Sequence, residues 1–280
     1  MRNTTVKSLS ICKNTPKTDK REKLSVDITI DGSLKVRYLL AGANVSVDHF
    51  ESRIKGWTYD SFGKTSSDQY VGGCIFVDHM SSDIHVEPQL WLSTSESIHA
   101  FIIFEKLCLD NGTLIQSSLQ TMDHLKQRTL LTIYEIKNRR IQYYVINAHY
   151  QNGIAERNIR TVSGMFRALI LHAFLQLKNG IDRSFWPMVV EYATYIFNHL
   201  PSHNGHVPVD LFTKSHLPRH RILDIHTWGG PIYVLDPTLQ AGKKLPCWQP
   251  QYRRGHFVGF SNVQFSDISL VLNNWSSHSY

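Results

Sequence analysis

Apolar and polar residues first alternate regularly at Val45-Ser46-Val47-Asp48-His49-Phe50, the period-two pattern of a half-buried strand. Val71 to Val77 (Val-Gly-Gly-Cys-Ile-Phe-Val) is a short β-rich run expected to pair antiparallel with it, and Ile84-His85-Val86-Glu87 can supply a third strand. From Ser95 to Leu107 the period changes. Ile98, Ile102 and Leu107 share one face, which predicts a helix with Ser95 as its N-cap. Residues 118–140 mix Gln, Lys, Arg and Thr without a period, and no element is assigned there. A strand is expected at Ile141–Val145. A long helix follows from Ala155 to Lys178, with Ile159, Val162, Phe166, Leu169, Ala173 and Leu177 as its apolar stripe. A second helix is predicted from Trp186 to Asn198, closing before Pro201. Beyond Trp228, short strands punctuated by Pro and Gly suit a small β-barrel better than a helix bundle. The order βββαβα with a β tail predicts an α/β fold: a mixed five-stranded sheet with flanking helices, interrupted in the middle, then a small β-rich module.

Composition narrows the partners. A formal net charge of +7 over 280 residues favours polyanions such as nucleic acid or an acidic membrane surface. No run approaches the roughly 18 apolar residues of a membrane span, and no apolar segment follows the N-terminal lysines as in a signal peptide. Cys12, Cys74, Cys108 and Cys247 lie far apart without a CxxC pair, which favours thiols in a reducing compartment over disulfides. The expectation is an intracellular protein that is not secreted and has no membrane partner.

Two acids stand at informative places. Asp48 lies inside the first strand, where a charge is normally unwelcome, and Glu156 lies in the first turn of the long helix. Such a pair can converge on hard divalent cations, which prefer carboxylate oxygens and water. Two ions about 4 Å apart would stabilise the attacking and leaving oxygens of a phosphoryl transfer. The plainer reading makes Asp48 a water-facing strand acid and Glu156 a favourable charge at a helix N-terminus.

Longer motifs bear on that choice. The stretch Gln151-Asn152-Gly153-Ile154-Ala155-Glu156-Arg157-Asn158-Ile159-Arg160-Thr161-Val162 resembles the signature around the catalytic Glu of Copia-type retrotransposon integrases. Val45–Ser52 resembles the strand bearing that family's first catalytic Asp, Val71–Ser81 its second strand, and His226–Phe260 the basic β module behind its core. The resemblance runs over about 40–118 and 141–273. It implies an RNase-H-like fold and two Asp and one Glu holding Mg²⁺ or Mn²⁺. It also implies 3′-end processing of element DNA followed by strand transfer into target DNA. Asp48 and Glu156 would be metal ligands, and Asp78 a structural acid. Asn152, Arg157 and Arg160 would face DNA, and Lys243, Lys244, Arg253 and Arg254 would bind phosphates. For the basic pairs, solvated loops remain the alternative. A functional copy would be nuclear and homo-oligomeric. The implied domains are a basic, poorly ordered arm over 1–42, a catalytic core over 43–215 disrupted at 118–140, and a truncated basic β-rich module over 226–280.

The pattern breaks at one place. The family's second Asp belongs to a Thr-Asp-Asn-Gly turn about 35 residues before the Glu, which falls at Thr121. The nearest acid is Asp123, a weaker catalytic candidate. Leu109-Asp110-Asn111-Gly112 matches in composition but comes too early, and reads as the turn that ends the first helix. Leu119–Asp123 can be written TTA CAG ACA ATG GAC, and two bases later the same letters give Thr-Asp-Asn-Gly. A frameshift beginning near Ser118 and reversed near Ile141 is therefore our hypothesis, with Asn274–His278 as a second candidate. Codons in the gene incompatible with those shifted readings would end it. No zinc is expected, because the arm holds Cys12 and no His precedes His49. Two classes remain: an integrase, active or recently inactivated, and a non-catalytic nucleic-acid-binding remnant of one.

Overall fold

Thirteen residues, Asn44–Gly56, form the long strand β1. The computed structural model describes residues 40–59, 67–120, 140–143, 153–176, 182–215, 225–240, 242–260 and 269–272. β2 (Tyr70–Asp78) and β3 (Ile84–Gln89) follow, then α1 (Thr94–Asp110), β4 (Ser117–Gln120), β5 (Arg140–Tyr143) and α2 (Gly153–Gln176). A 3₁₀ turn at Arg183–Phe185 leads into α3 (Trp186–His199), and α4 (Pro208–Thr213) comes next. The remainder is β6 (Pro231–Leu235), α5 (Pro237–Gln240), β7 (Tyr252–Phe260) and β8 (Ser269–Leu272).

The first five strands make one sheet in the order β3-β2-β1-β4-β5. β1, β2 and β3 are joined by antiparallel pairing, whereas β1, β4 and β5 run parallel. The sheet is thus mixed, with β1 at its centre. Pleating sorts β1 by parity. Val45 and Val47 pack with Phe76, Ala100, Phe101 and Phe104 under α1. Phe50 joins Ile75, Val77, Val162, Trp186 and Val190 on the opposite face, under α2 and α3. β6, β7 and β8 form a three-stranded antiparallel sheet. Phe257 and Val258 of β7 share a hydrophobic cluster with Ile170, Ala173, Val189 and Tyr192, so this sheet is packed on α2 and α3.

Several expectations shift. The N-cap of α1 is Ser93, whose Oγ accepts from the Glu96 N–H, and Ser95 falls inside the first turn. An element exists where none was assigned: Ser117–Gln120 pairs with β1 on one side and β5 on the other. Among the described residues the tail is an open three-stranded sheet and not a barrel. Asp110 does close α1, with Asn111 as C-cap and Gly112 at φ +67°. The arm expected over 1–42 lies outside the described residues up to position 39, as do Asp123, Asn152 and Asn274–His278. No helix among the described residues is long and apolar enough to cross a membrane.

Candidate functional site

Asp48 has the parity of Ser46 and Phe50 and pairs across β1–β2 with Ile75. Its neighbour His49 points the other way, its Nε2 3.0 Å from Ser97 Oγ on α1. Asp48 therefore belongs to the face that α2 and α3 cover. It is half-buried, and its Oδ1 accepts from the His49 N–H at 2.9 Å.

Glu156 reaches the same layer from the helix side. α2 begins at Gly153, and Glu156 is the acidic residue of its first turn, where unpaired N–H groups favour a carboxylate. Ala155 beside it is fully buried, Glu156 is half-buried and Arg157 is exposed. One turn on, Ile159 packs into the cluster that holds Ile75 and Phe50. Phe50 lies two residues after Asp48 and Ile159 three after Glu156, and these two apolar side chains share one cluster. What these two carboxylates can do is offer hard oxygen donors from two different elements. Among the described residues no group of three or more His, Cys, Asp or Glu side chains could hold a metal ion. β4 ends at Gln120 opposite Val47, one residue short of the level of Asp48.

Asp78 has a structural setting. It is buried, and its carboxylate accepts from Gly42 N (2.8 Å), Ser81 N (2.8 Å) and Ser81 Oγ (2.7 Å), tying the entry of β1 to the β2–β3 hairpin. The same hairpin buries Asp83, which the sequence did not single out. Burial first, and the Asp78 charge second, push its carboxyl up to about 8. Its Oδ1 has no hydrogen-bond partner among the described residues. His79, partly buried beside it, is held below its ordinary value by burial, with Asp78 opposing.

The basic candidates divide. Arg157 and Arg160 are exposed on the outer face of α2, away from its stripe, and Lys243 and Lys244 are exposed before β7. Arg254 is exposed on β7. Arg253 instead places Nε 2.7 Å from Asp236 Oδ2. The Thr238 N–H, and then the Arg253 guanidinium, hold the Asp236 carboxyl below the usual carboxylate range. Missed altogether were the exposed rings of Tyr233, Trp248 and Tyr252. For Trp248 and Tyr252 the signal in the sequence was the interleaving of aromatic and basic residues from Lys243 to Arg254.

No protein-family model matches the chain, and no curated protein matches it by sequence. Solved structures do. The catalytic core domain of HTLV-2 integrase, in complex with magnesium, is 14% identical with a TM-score of 0.44, covering 63% of this chain and 99% of that one. The intasome of simian T-cell lymphotropic virus, in complex with a PP2A regulatory subunit, gives 14% identity and a TM-score of 0.47 over 85% of this chain and 78% of that one. The catalytic core domain of BIV integrase is 8% identical with a TM-score of 0.44, covering 62% and 95%. These are distant likenesses, and the functional reading rests on the residues.

Proposed function

We propose that the chain is the DNA-joining region of a Copia-type retrotransposon integrase whose second catalytic acid has been lost. The observation that carries this is that Phe50, two residues after Asp48 on β1, and Ile159, three residues after Glu156 on α2, belong to one hydrophobic cluster, within the two motifs that resemble the family's catalytic strand and helix. Three antiparallel strands followed by two parallel ones support the RNase-H-like reading of the sheet. On this reading the core spans about 43–215, with a basic β-rich region after it, and acts as a homo-oligomer on element ends and target DNA in the nucleus. Asp48 and Glu156 would hold Mg²⁺ or Mn²⁺, which supplies charge stabilisation at the reacting phosphate. Asp123 is the acid nearest the missing position, and Thr121 itself offers a hydroxyl where a carboxylate is needed. That substitution favours the second reading, a nucleic-acid-binding remnant without catalysis.

The test is strand transfer by the full chain with Mn²⁺ and a labelled duplex, beside Asp48→Asn, Glu156→Gln and Asp123→Asn. The expected outcome is salt-sensitive duplex binding in all four proteins, with activity lower than in an intact triad by orders of magnitude. Any residual activity should vanish in Asp48→Asn and Glu156→Gln. Residual activity untouched by both substitutions would overturn the site. Binding without any activity would select the remnant, and loss of all binding would reject both readings.

A further inference from the structure

The outer face of the β6–β7 ribbon combines two features that need a common explanation. Register sets Tyr233 opposite Arg254 and Leu235 opposite Tyr252, and paired residues of an antiparallel ladder share a face. Tyr233, Arg254 and Tyr252 thus form one patch, with the two tyrosines diagonal to each other. Tyr233 is 67% exposed and Tyr252 56% exposed. In the segment leading into β7, Trp248 is 90% exposed, and Lys243 and Lys244 are exposed as well. The other face of the ribbon carries Arg253, held by Asp236, and farther along β7 the ring of Phe257 is buried against α3. Asp236 is the one acid between positions 225 and 260, and it is engaged by Arg253. What remains toward solvent is positive charge and bare aromatic rings.

We propose that this face is a stacking platform for unpaired nucleic-acid strands, with Tyr233, Tyr252 and Trp248 taking base faces and Arg254, Lys243 and Lys244 taking phosphates. The proposal rests on the DNA-binding reading above and narrows its substrate at this face to single strands. Charge alone would serve a duplex equally. Exposed rings add something only where base faces are accessible, and in a duplex those faces are covered by neighbouring base pairs. Arg254 beside Tyr233 can contact phosphate while its guanidinium plane lies along a base. The uncompensated positive charge favours a polyanion over an apolar protein partner.

The experiment measures fluorescence anisotropy of labelled oligo-dT and of a duplex of equal length with the full chain at two salt concentrations. Tyr233→Ala/Tyr252→Ala should weaken single-strand binding roughly tenfold or more while leaving duplex binding within about twofold. Tyr233→Phe/Tyr252→Phe should bind like the unchanged protein, because the ring and not the hydroxyl is used. Lys243→Ala/Lys244→Ala should weaken both ligands and flatten the salt dependence. Indole fluorescence quenched by oligo-dT and restored to baseline in Trp248→Ala would support the third ring. Equal losses on strand and duplex, or no loss in the alanine pair at unchanged melting temperature, would overturn the platform while leaving DNA binding intact. Failure of the unchanged protein to bind either ligand would bring down the DNA-binding reading itself.

Discussion

Asp83→Asn isolates the buried acid that sits beside Asp78 in the β2–β3 hairpin. Asp78 takes the donors there, with Gly42 N, Ser81 N and Ser81 Oγ all directed at its carboxylate, and Asp83 is left 7% exposed beside it. Its carboxyl is pushed up from an ordinary 3.8 to about 8. Between about pH 4 and pH 8 the native state therefore keeps a proton on Asp83 that the unfolded chain has already released. Because the native state binds more protons in that window, stability is fully present below the ordinary carboxylate pKa and is lost as pH rises through about 8. Each pH unit inside the window costs about 1.4 kcal/mol, so the loss from pH 5 to 8 is on the order of 4 kcal/mol. Asparagine keeps the shape and removes the proton equilibrium. Urea unfolding followed by tryptophan fluorescence at several pH values should show the unchanged protein falling in stability toward pH 8. The variant should fall only by what other groups contribute. His79 acts in the opposite direction, since its lowered pKa costs stability as pH drops, and comparison of the two proteins removes it. Parallel pH profiles would refute the reasoning.

Other consequences concern packing. Among the described residues the edge strand β3 has no strand on its outer side, and Asn198 of α3 supplies a partner there: its Oδ1 accepts from Ile84 N at 3.0 Å and its Nδ2 donates to Ile84 O at 2.7 Å. Asn198→Ala should lower stability by about 2–3 kcal/mol, read as a shifted urea midpoint with unchanged slope. A Cβ at Gly72 would lie 2.2 Å from the Phe50 carbonyl oxygen, so Gly72→Ala should cost about 3 kcal/mol or more, or abolish soluble folded protein. Gly164, exposed within α2 with nothing near its Cβ position, should give the opposite sign, a gain of about 1 kcal/mol in Gly164→Ala by the same unfolding assay.

Elements whose pattern is local were legible in the sequence. The alternation at Val45–Phe50 marks β1, and it also places Asp48 on the face of Phe50, because parity is fixed by the strand itself. The stripe Ile159-Val162-Phe166 marks α2, and Glu156 follows as its first-turn acid. What escaped depends on distant partners. Ser117-Ser118-Leu119-Gln120 has neither alternation nor β-branched residues, and it is a strand because β1 and β5 flank it; Ser117 Oγ also donates to Ala43 O at 2.7 Å. Ser93 caps α1 in place of Ser95 because Ser93 adopts the extended backbone, which two nearby serines do not reveal in advance. Asp83, in a Ser-Ser-Asp turn, looks like a solvent-facing loop until the hairpin closes over it. Arg253 and Arg254 are adjacent in the chain, yet strand parity sends them to opposite faces, one to Asp236 and the other outward.

The kept strand and the proposed loss of an acid are compatible for a physical reason. A central strand is held by backbone pairing on both sides, and backbone groups do not distinguish one side chain from another. β4 shows this at Ser117–Gln120, where part of the segment proposed to be frameshifted still pairs in parallel register with Asn44–Val47. A carboxylate has no such substitute. On the proposed reading the chemistry requires a second acid beside Asp48, and the residue after Gln120 in the sequence is Thr121. On the proposed reading, a change of reading frame that leaves enough extended sequence to fill the sheet would preserve the strand that carries Asp48 and the helix that carries Glu156, while removing the second acid. Fold and basic surface would then outlast catalysis, because pairing and charge are distributed over many residues whereas the proposed metal set would depend on three.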